Sequence, residues 1–145
     1  MKKKFYYLVL LAALVYSFVQ EQGISIPGFQ SPEQTSNHAV QEAYDNRQSD
    51  VQVMGEGVVV KVLPDDNEGS RHQKFILRTN QKMTLLVSHN IDLAPRISRL
   101  RAGDTVMFFG EYEWNERGGV VHWTHHDPGG RHIDGWLKHN GKTYQ

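Results

Sequence analysis

The sequence contains no cysteine. This excludes disulfide bonds and any mechanism that needs a thiolate, so the hydrophobic core alone must hold the domain together. The sequence also lacks internal repeats, low-complexity tracts, a glycine-rich phosphate-binding loop and a serine nucleophile elbow. What remains is 39% hydrophobic and 22% charged residues with only five prolines, a composition typical of a globular protein.

The chain has no net charge, but its charges are unevenly placed. Three of the sixteen Lys and Arg residues are Lys2, Lys3 and Lys4, whereas all sixteen acidic residues follow residue 20. The part beyond residue 20 therefore carries thirteen basic and sixteen acidic side chains, a net charge of −3. Bulk nucleic-acid binding needs a surplus of clustered basic residues, so this balance argues against it.

The three lysines precede an uncharged apolar run from Phe5 to Val19. A basic start followed by such a run predicts export, with residues 1–19 acting as a signal peptide or as an uncleaved membrane anchor. Val15 and Ser17 fit a cleavage site, whereas Tyr16 and Phe18 favour retention. The expected location is the periplasm or the outer face of the inner membrane, with membrane contact through this segment if it is not cleaved.

Residues 20–36 are polar, with two glycines and two prolines, and are predicted to form a linker. Residues 37–145 are predicted to form a single domain, beginning with a helix from Ser36 or Asn37 to about Gln48. Five strands are predicted, the first bent or bulged at Gly55 and Gly57, with a tight turn at Asn80-Gln81 after the second. The strands are Val51–Leu63, His72–Thr79, Lys82–Ser88, Thr105–Trp114 and Val120–Asp127.

A further short helix is predicted within Asn90–Arg101, starting at Pro95. Three strands, a helix and two strands follow the order of the five-stranded OB barrel. The predicted fold class is therefore all-β with one short helix in a small OB-like β-barrel, preceded by an N-terminal helix. Asn140-Gly141 predicts a C-terminal hairpin appended to the barrel.

The densest polar feature is a cluster of imidazoles and carboxylates. Five of the eight histidines lie between His122 and His139. Such groups are the usual ligands of a divalent transition metal such as zinc, so a metal cofactor is one interpretation of this pattern. The candidate metal ligands are His122, His126, Asp127 and His132. The alternative interpretations are structural packing of the tail and acid-base catalysis.

Strand alternation restricts which of these side chains act together. It places Val121 and Trp123 inward, and His122, Thr124 and His126 outward. Counting back through a four-residue hairpin places Glu111 opposite His122. A carboxylate beside an imidazole fixes its tautomer and raises its pKa.

Other polar residues are candidates for a ligand site. The loop PDDNEGSRH joins the first two strands, near the surface that OB domains use for ligands. A solvated turn is the alternative for this loop, and helix capping for the residues around His89. The ligand candidates are Asp65, Asp66, Arg71, His72, His89, Glu111, Trp123, His125 and Arg131.

From about Val53 to Tyr144 the chain resembles the bacterial family known as domain of unknown function 3465. The resemblance rests on an HWTH motif, His122 to His125, and on the strings PDDNEGSRHQKF, HNIDLAP, GEYEWN and HHDPGGRH. It implies no catalytic role for any residue. The expected function is an exported OB-like module that binds a small molecule, a glycan or a peptide. The alternative is a metal-assisted hydrolase that uses the cluster at 122–134.

Overall fold

The computed structural model describes residues 32–79 and 83–145. Residues 32–145 form one compact unit. Its elements, in chain order, are α1 (Pro32–Asp45), β1 (Val51–Val62), β2 (His72–Arg78), β3 (Thr84–Asn90), β4 (Thr105–Glu113), β5 (Val120–His122), β6 (Trp136–His139) and β7 (Lys142–Tyr144).

Strands β1 to β5 close into a barrel. β1 pairs with β4 along Val51–Val58 and with β2 along Val58–Val62, so this one long strand joins the two ends of the sheet. β3 pairs with β2 and, in parallel, with β5, which returns to β4. The ring order β1-β2-β3-β5-β4 confirms the predicted OB-like barrel.

The C-terminal hairpin β6–β7 lies outside the ring and pairs with β4. Its turn residues, Asn140 and Gly141, have φ angles of 49° and 76°. Both values are left-handed, as a type I′ turn requires, and the predicted hairpin is confirmed.

The core follows from the alternation of apolar residues along the strands. In β4, for example, Val106, Phe108 and Tyr112 are fully buried while their neighbours face outward. Val40 and Ala43 of α1 join the same apolar cluster. Gly55, opposite Phe108 in the sheet, leaves room for that ring, which a side chain at this position would strike. The glycines in β1 thus permit close packing, and the irregularity in the pairing of β1 lies beyond them, as a register shift between Val59 and Lys61.

The helix boundaries differ from the prediction. α1 begins at Pro32, inside the predicted linker, and ends at Asp45. Asn37 does not cap the helix, because its amide is bonded to β1: its Nδ2 donates to the Glu56 carbonyl at 2.9 Å, and the Glu56 N–H donates to its Oδ1 at 3.0 Å. The side chain of Asn37 therefore fastens α1 to the barrel.

The helix predicted within Asn90–Arg101 is wrong, since the segment that follows the end of β3 at Asn90 consists of turns and irregular backbone. The buried Gln73 amide donates to the Ile97 carbonyl at 3.0 Å and accepts the Ile97 N–H at 2.8 Å. These bonds satisfy the backbone of a buried apolar residue without helical hydrogen bonds.

β5 is three residues long, not eight as predicted. It ends at His122 because Trp123 has a φ of 52°, which leaves the extended conformation. The alternation predicted beyond His122 therefore fails: Thr124 is fully buried, and Trp123 is only partly buried.

The predicted export segment at 1–19, residues 20–31 of the predicted linker and the turn at Asn80-Gln81 lie outside the described residues. In the part of the chain that the structure describes, no helix combines the length and hydropathy needed to cross a membrane.

Candidate functional site

The site lies on the outer face of β2, β3, β5 and β4. Strand alternation directs Val87, Val121 and Tyr112 into the core, so the neighbouring side chains point outward. On this face the outward residues of β4 are Glu111 and Glu113, and β5 contributes His122.

Glu111, Glu113 and His122 form what we call the Glu-His cluster. Glu111 pairs with His122 across the two strands, which confirms the predicted register. His122 Nε2 lies 3.5 Å from Glu111 Oε1 and 3.7 Å from Glu113 Oε1. This nitrogen is buried and makes no hydrogen bond to any residue that the structure describes.

The second carboxylate oxygen of Glu111 is held by His132. His132 Nε2 lies 2.6 Å from Glu111 Oε2, and its Nδ1 lies 2.8 Å from the Ile133 carbonyl. Both partners are acceptors, so both contacts are satisfied when both ring nitrogens carry protons. Burial by itself lowers the pKa of His132, but the bonds to Glu111 and Ile133 and the charge of Glu111 outweigh it and raise the pKa above its usual value.

Trp123 covers His132. The two rings stack with centroids 4.1 Å apart and planes 8° apart. An indole face attracts an imidazolium, which favours the doubly protonated ring. The left-handed backbone of Trp123 turns its side chain out of the barrel, and the sequence prediction of an inward Trp123 is wrong.

A cleft of about 190 Å³ adjoins the Glu-His cluster, and His122 belongs to both. The cleft lies on the face of strands 2 and 3, where OB barrels bind oligonucleotides and oligosaccharides. Its walls come from β2, β3, the turn after β3, and the end of β5. They are lined by His72, Ser88, Asn90, Leu93, His122, Trp123 and His125.

Asp127 organises the loop that carries His132. Its carboxylate accepts the backbone N–H groups of Gly129, Arg131 and His132 at 2.7 to 2.9 Å. The bonds from Arg131, Gly129 and His132 lower its pKa to about 2. Asp127 is therefore the acceptor that shapes this turn, and Arg131 contributes its backbone to the same turn.

The predicted metal ligands do not converge. The His126 side chain is 65% exposed, and its Nδ1 pairs with Asp134 at 2.7 Å. Asp127 is occupied by backbone donors, and Glu111 stands between His122 and His132. The structure thus does not bring His122, His126, Asp127 and His132 together as a single group, because β5 ends at His122 and the strand alternation does not continue beyond it.

His89 and His125 have structural contacts. His89 is buried, with Nε2 3.1 Å from the Pro95 carbonyl and Nδ1 2.8 Å from the Thr124 hydroxyl. Burial is the main cause that lowers its pKa to about 4. His125 is also buried, its Nδ1 bonded to the His126 carbonyl, but its ring borders the cleft.

The β1–β2 loop is tied to the segment after β3 by ion pairs. Asp65 binds Arg96 at 2.6 Å, and Arg71 binds Asp92 at 2.7 Å. The backbone and side-chain bonds from Arg71 lower the pKa of Asp92. Asp66 accepts the Glu68 N–H, which is the main cause of its lowered pKa. These ion pairs hold the β1–β2 loop against the segment after β3. Of the ligand candidates predicted in this loop, only His72 lines the cleft.

Three contributors to this face did not stand out in the sequence. Glu113 and Ser88 are outward neighbours of residues already considered, and strand alternation alone identifies them. Gln52 of β1 lies opposite Glu111, on the side away from His122, and its amide nitrogen is buried without a hydrogen-bond partner among the described residues.

Fold and surface together define a small OB-like barrel protein with a histidine-rich cleft on the face of β2 and β3. The chain belongs to the family described as protein of unknown function (DUF3465), whose model matches residues 24–145. The match confirms the resemblance carried by the HWTH motif. No curated protein matches the chain.

Proposed function

We propose that the protein is an exported binding module whose ligand enters the cleft beside Trp123. The observation that carries the proposal is the position of the cleft. It lies on the strand 2–3 face that OB barrels use, and it gathers His72, His125 and the HWTH tryptophan around one small volume. The analogy with other OB barrels supports a ligand site on this face, and the residues that line the cleft indicate which class of ligand it takes.

The lining favours a glycan over an anionic ligand. Within the described part of the chain, neither Lys nor Arg borders the cleft, which offers an indole, a hydroxyl, an amide and imidazoles. These groups stack on a sugar ring and hydrogen-bond to its hydroxyls. A cleft of about 190 Å³ is smaller than the ~300–1,000 Å³ of drug-sized pockets, so it holds one ring of a longer ligand.

The proposed setting is the periplasm or the outer face of the inner membrane. The Lys-rich start and the apolar run to Val19 support export, and the net charge of −3 beyond residue 20 fits a partner other than nucleic acid.

The binding claim is tested with the full chain purified from the cell envelope, using the N-acetylglucosamine trimer as probe and tryptophan fluorescence as readout. We expect saturable binding that Ser88→Leu abolishes, because the larger side chain fills the cleft. Ser98→Leu, the same substitution at an exposed serine outside the cleft lining, is the control and should bind normally. Equal binding by the Ser88→Leu protein, or absence of binding by the native protein, would contradict the proposal for this glycan.

A metal-assisted hydrolase requires ligands that meet at one point. The four ligands predicted from the sequence, His122, His126, Asp127 and His132, do not come together, so we favour the binding module, which the cleft supports, over a hydrolase that uses those four residues.

A further inference from the structure

The Glu-His cluster has the spacing of metal ligands rather than of hydrogen-bonded side chains. A charge-assisted hydrogen bond between a histidine nitrogen and a carboxylate oxygen is about 2.7 to 2.9 Å long. His122 Nε2 stands 3.5 Å and 3.7 Å from its two carboxylate neighbours, and the three ligand atoms lie within 4.8 Å of one another. Tetrahedral zinc with bonds of about 2.1 Å separates its ligand atoms by about 3.4 Å.

We propose that Glu111, Glu113 and His122 bind a divalent transition metal ion of the zinc class. The proposal goes beyond the glycan cleft and does not depend on it. The two carboxylates would neutralise the two charges of the ion, and the neutral imidazole would supply a nitrogen ligand. This mixed nitrogen and oxygen set favours zinc, cobalt or nickel over calcium, which prefers six or more oxygens.

The burial of the unpartnered His122 nitrogen supports this assignment beside the distances. His122 Nε2 is buried, and no described residue forms a hydrogen bond with it. A buried polar atom without a partner is costly, and a metal bond to the neutral ring would satisfy it.

The surroundings hold the ligands in place. Glu111 and Glu113 are alternate residues of one strand, and His122 lies across from Glu111, so paired backbone fixes all three positions. His132 binds Oε2 of Glu111 at 2.6 Å, which leaves Oε1 toward His122. Such outer partners orient the ligands of metal sites. His132 is therefore a positioning residue in this site.

Three protein ligands leave a fourth position on a tetrahedral ion. Because His122 borders the cleft as well as the cluster, the ion would lie next to the proposed glycan site. The open position is thus available to water or to an oxygen of a ligand in the cleft.

The test is a titration of the chelator-treated full chain with cobalt(II), followed by displacement with zinc. We expect one equivalent of cobalt to bind at micromolar concentration and to give the intense visible bands of a tetrahedral site. Glu113→Gln and His122→Gln should each weaken binding at least tenfold. Glu113 is 37% exposed, so its variant should fold normally.

Two further variants complete the design. His126→Gln is the matched histidine control and should bind cobalt as the native chain does, because His126 pairs with Asp134 away from the cluster. His132→Gln should weaken binding by ~10- to 100-fold, as the loss of an outer partner does. Absence of binding up to millimolar cobalt, unchanged binding in Glu113→Gln, or loss of binding in His126→Gln would overturn the proposal. The glycan titration is also repeated in the presence of chelator. It then reports on the cleft without bound metal, so failure of the metal proposal and failure of the glycan proposal can be distinguished.

Discussion

Acidification should destabilise the protein through His89. This fully buried ring donates from Nε2 to the Pro95 carbonyl, which cannot donate in return, so Nδ1 of the neutral ring accepts the Thr124 hydroxyl proton. A proton added to Nδ1 would be buried as a charge. For that reason the folded state keeps the pKa of His89 at about 4, well below 6.5.

Proton linkage determines the direction and the magnitude of this loss of stability. Between pH 6.5 and about 4 the unfolded chain binds the proton and the folded chain does not, so stability is complete above pH 6.5 and falls as the pH drops through this window. The difference between the pKa of His89 in the unfolded chain, 6.5, and in the folded chain, about 4, corresponds to about 3 kcal/mol of stability. Of this, roughly 2.5 kcal/mol is lost by pH 4.5. For a domain with a total stability of ~5 to 15 kcal/mol, this is a large fraction.

The assay is urea denaturation of the native chain and of His89→Gln at pH 7.5, 6 and 4.5. His89→Gln cannot take up this proton, so its stability should respond to pH only through other groups, such as the carboxylates. We expect the stability difference between the two proteins to narrow by roughly 2.5 kcal/mol from pH 7.5 to 4.5. A difference that stays constant over this range would show that His89 does not titrate as its burial requires.

Two further predictions follow from contacts in the barrel and its loops, and a third follows from the N-terminal sequence. Phe108→Ala should cost ~3 to 5 kcal/mol of unfolding free energy by urea denaturation, because the ring is fully buried; a cost below 1 kcal/mol would contradict its core position. Asp127→Asn should speed amide hydrogen exchange at Arg131 and His132 at least tenfold, since both N–H groups donate to this carboxylate, and unchanged exchange would refute its role in the turn. A periplasm-dependent reporter enzyme fused after Gln145 should be active; activity only from a cytoplasmic reporter would disprove export.

Local patterns were sufficient to predict most of the barrel. Alternating apolar residues mark the strands, and Asn140-Gly141 marks the last hairpin, because both depend on residues close in sequence. The same alternation, counted through the β4–β5 turn, correctly paired Glu111 with His122.

Two of the failures depend on contacts that no local periodicity encodes. The segment after β3 is shaped by Gln73, 24 residues before Ile97, which replaces the helical bonds expected from its apolar spacing. β5 stops at Trp123, whose ring stacks on His132 in a loop that Asp127 folds back. No periodicity within the HWTH segment reveals this stop.

The candidate site was predicted only in part, because its side chains come from two strands that no single local pattern joins. The density of histidines after Val121 drew attention to the loop, whereas the metal-like spacing involves one of them, His122, and two glutamates of β4. Glu113 is the next outward residue of β4 after Glu111, so strand alternation could have identified it.

The central claim, that the outer face around His122 is a binding surface, is tested most directly by nuclear magnetic resonance. The isotope-labelled full chain is titrated with the N-acetylglucosamine trimer, in detergent micelles if the N-terminal segment is retained. The account predicts saturable shifts at the backbone amides of Ser88 and Asn90 and at the Trp123 indole, with none at the Trp114 indole in the β4–β5 turn. No saturable shift, or shifts centred on Trp114, would contradict it.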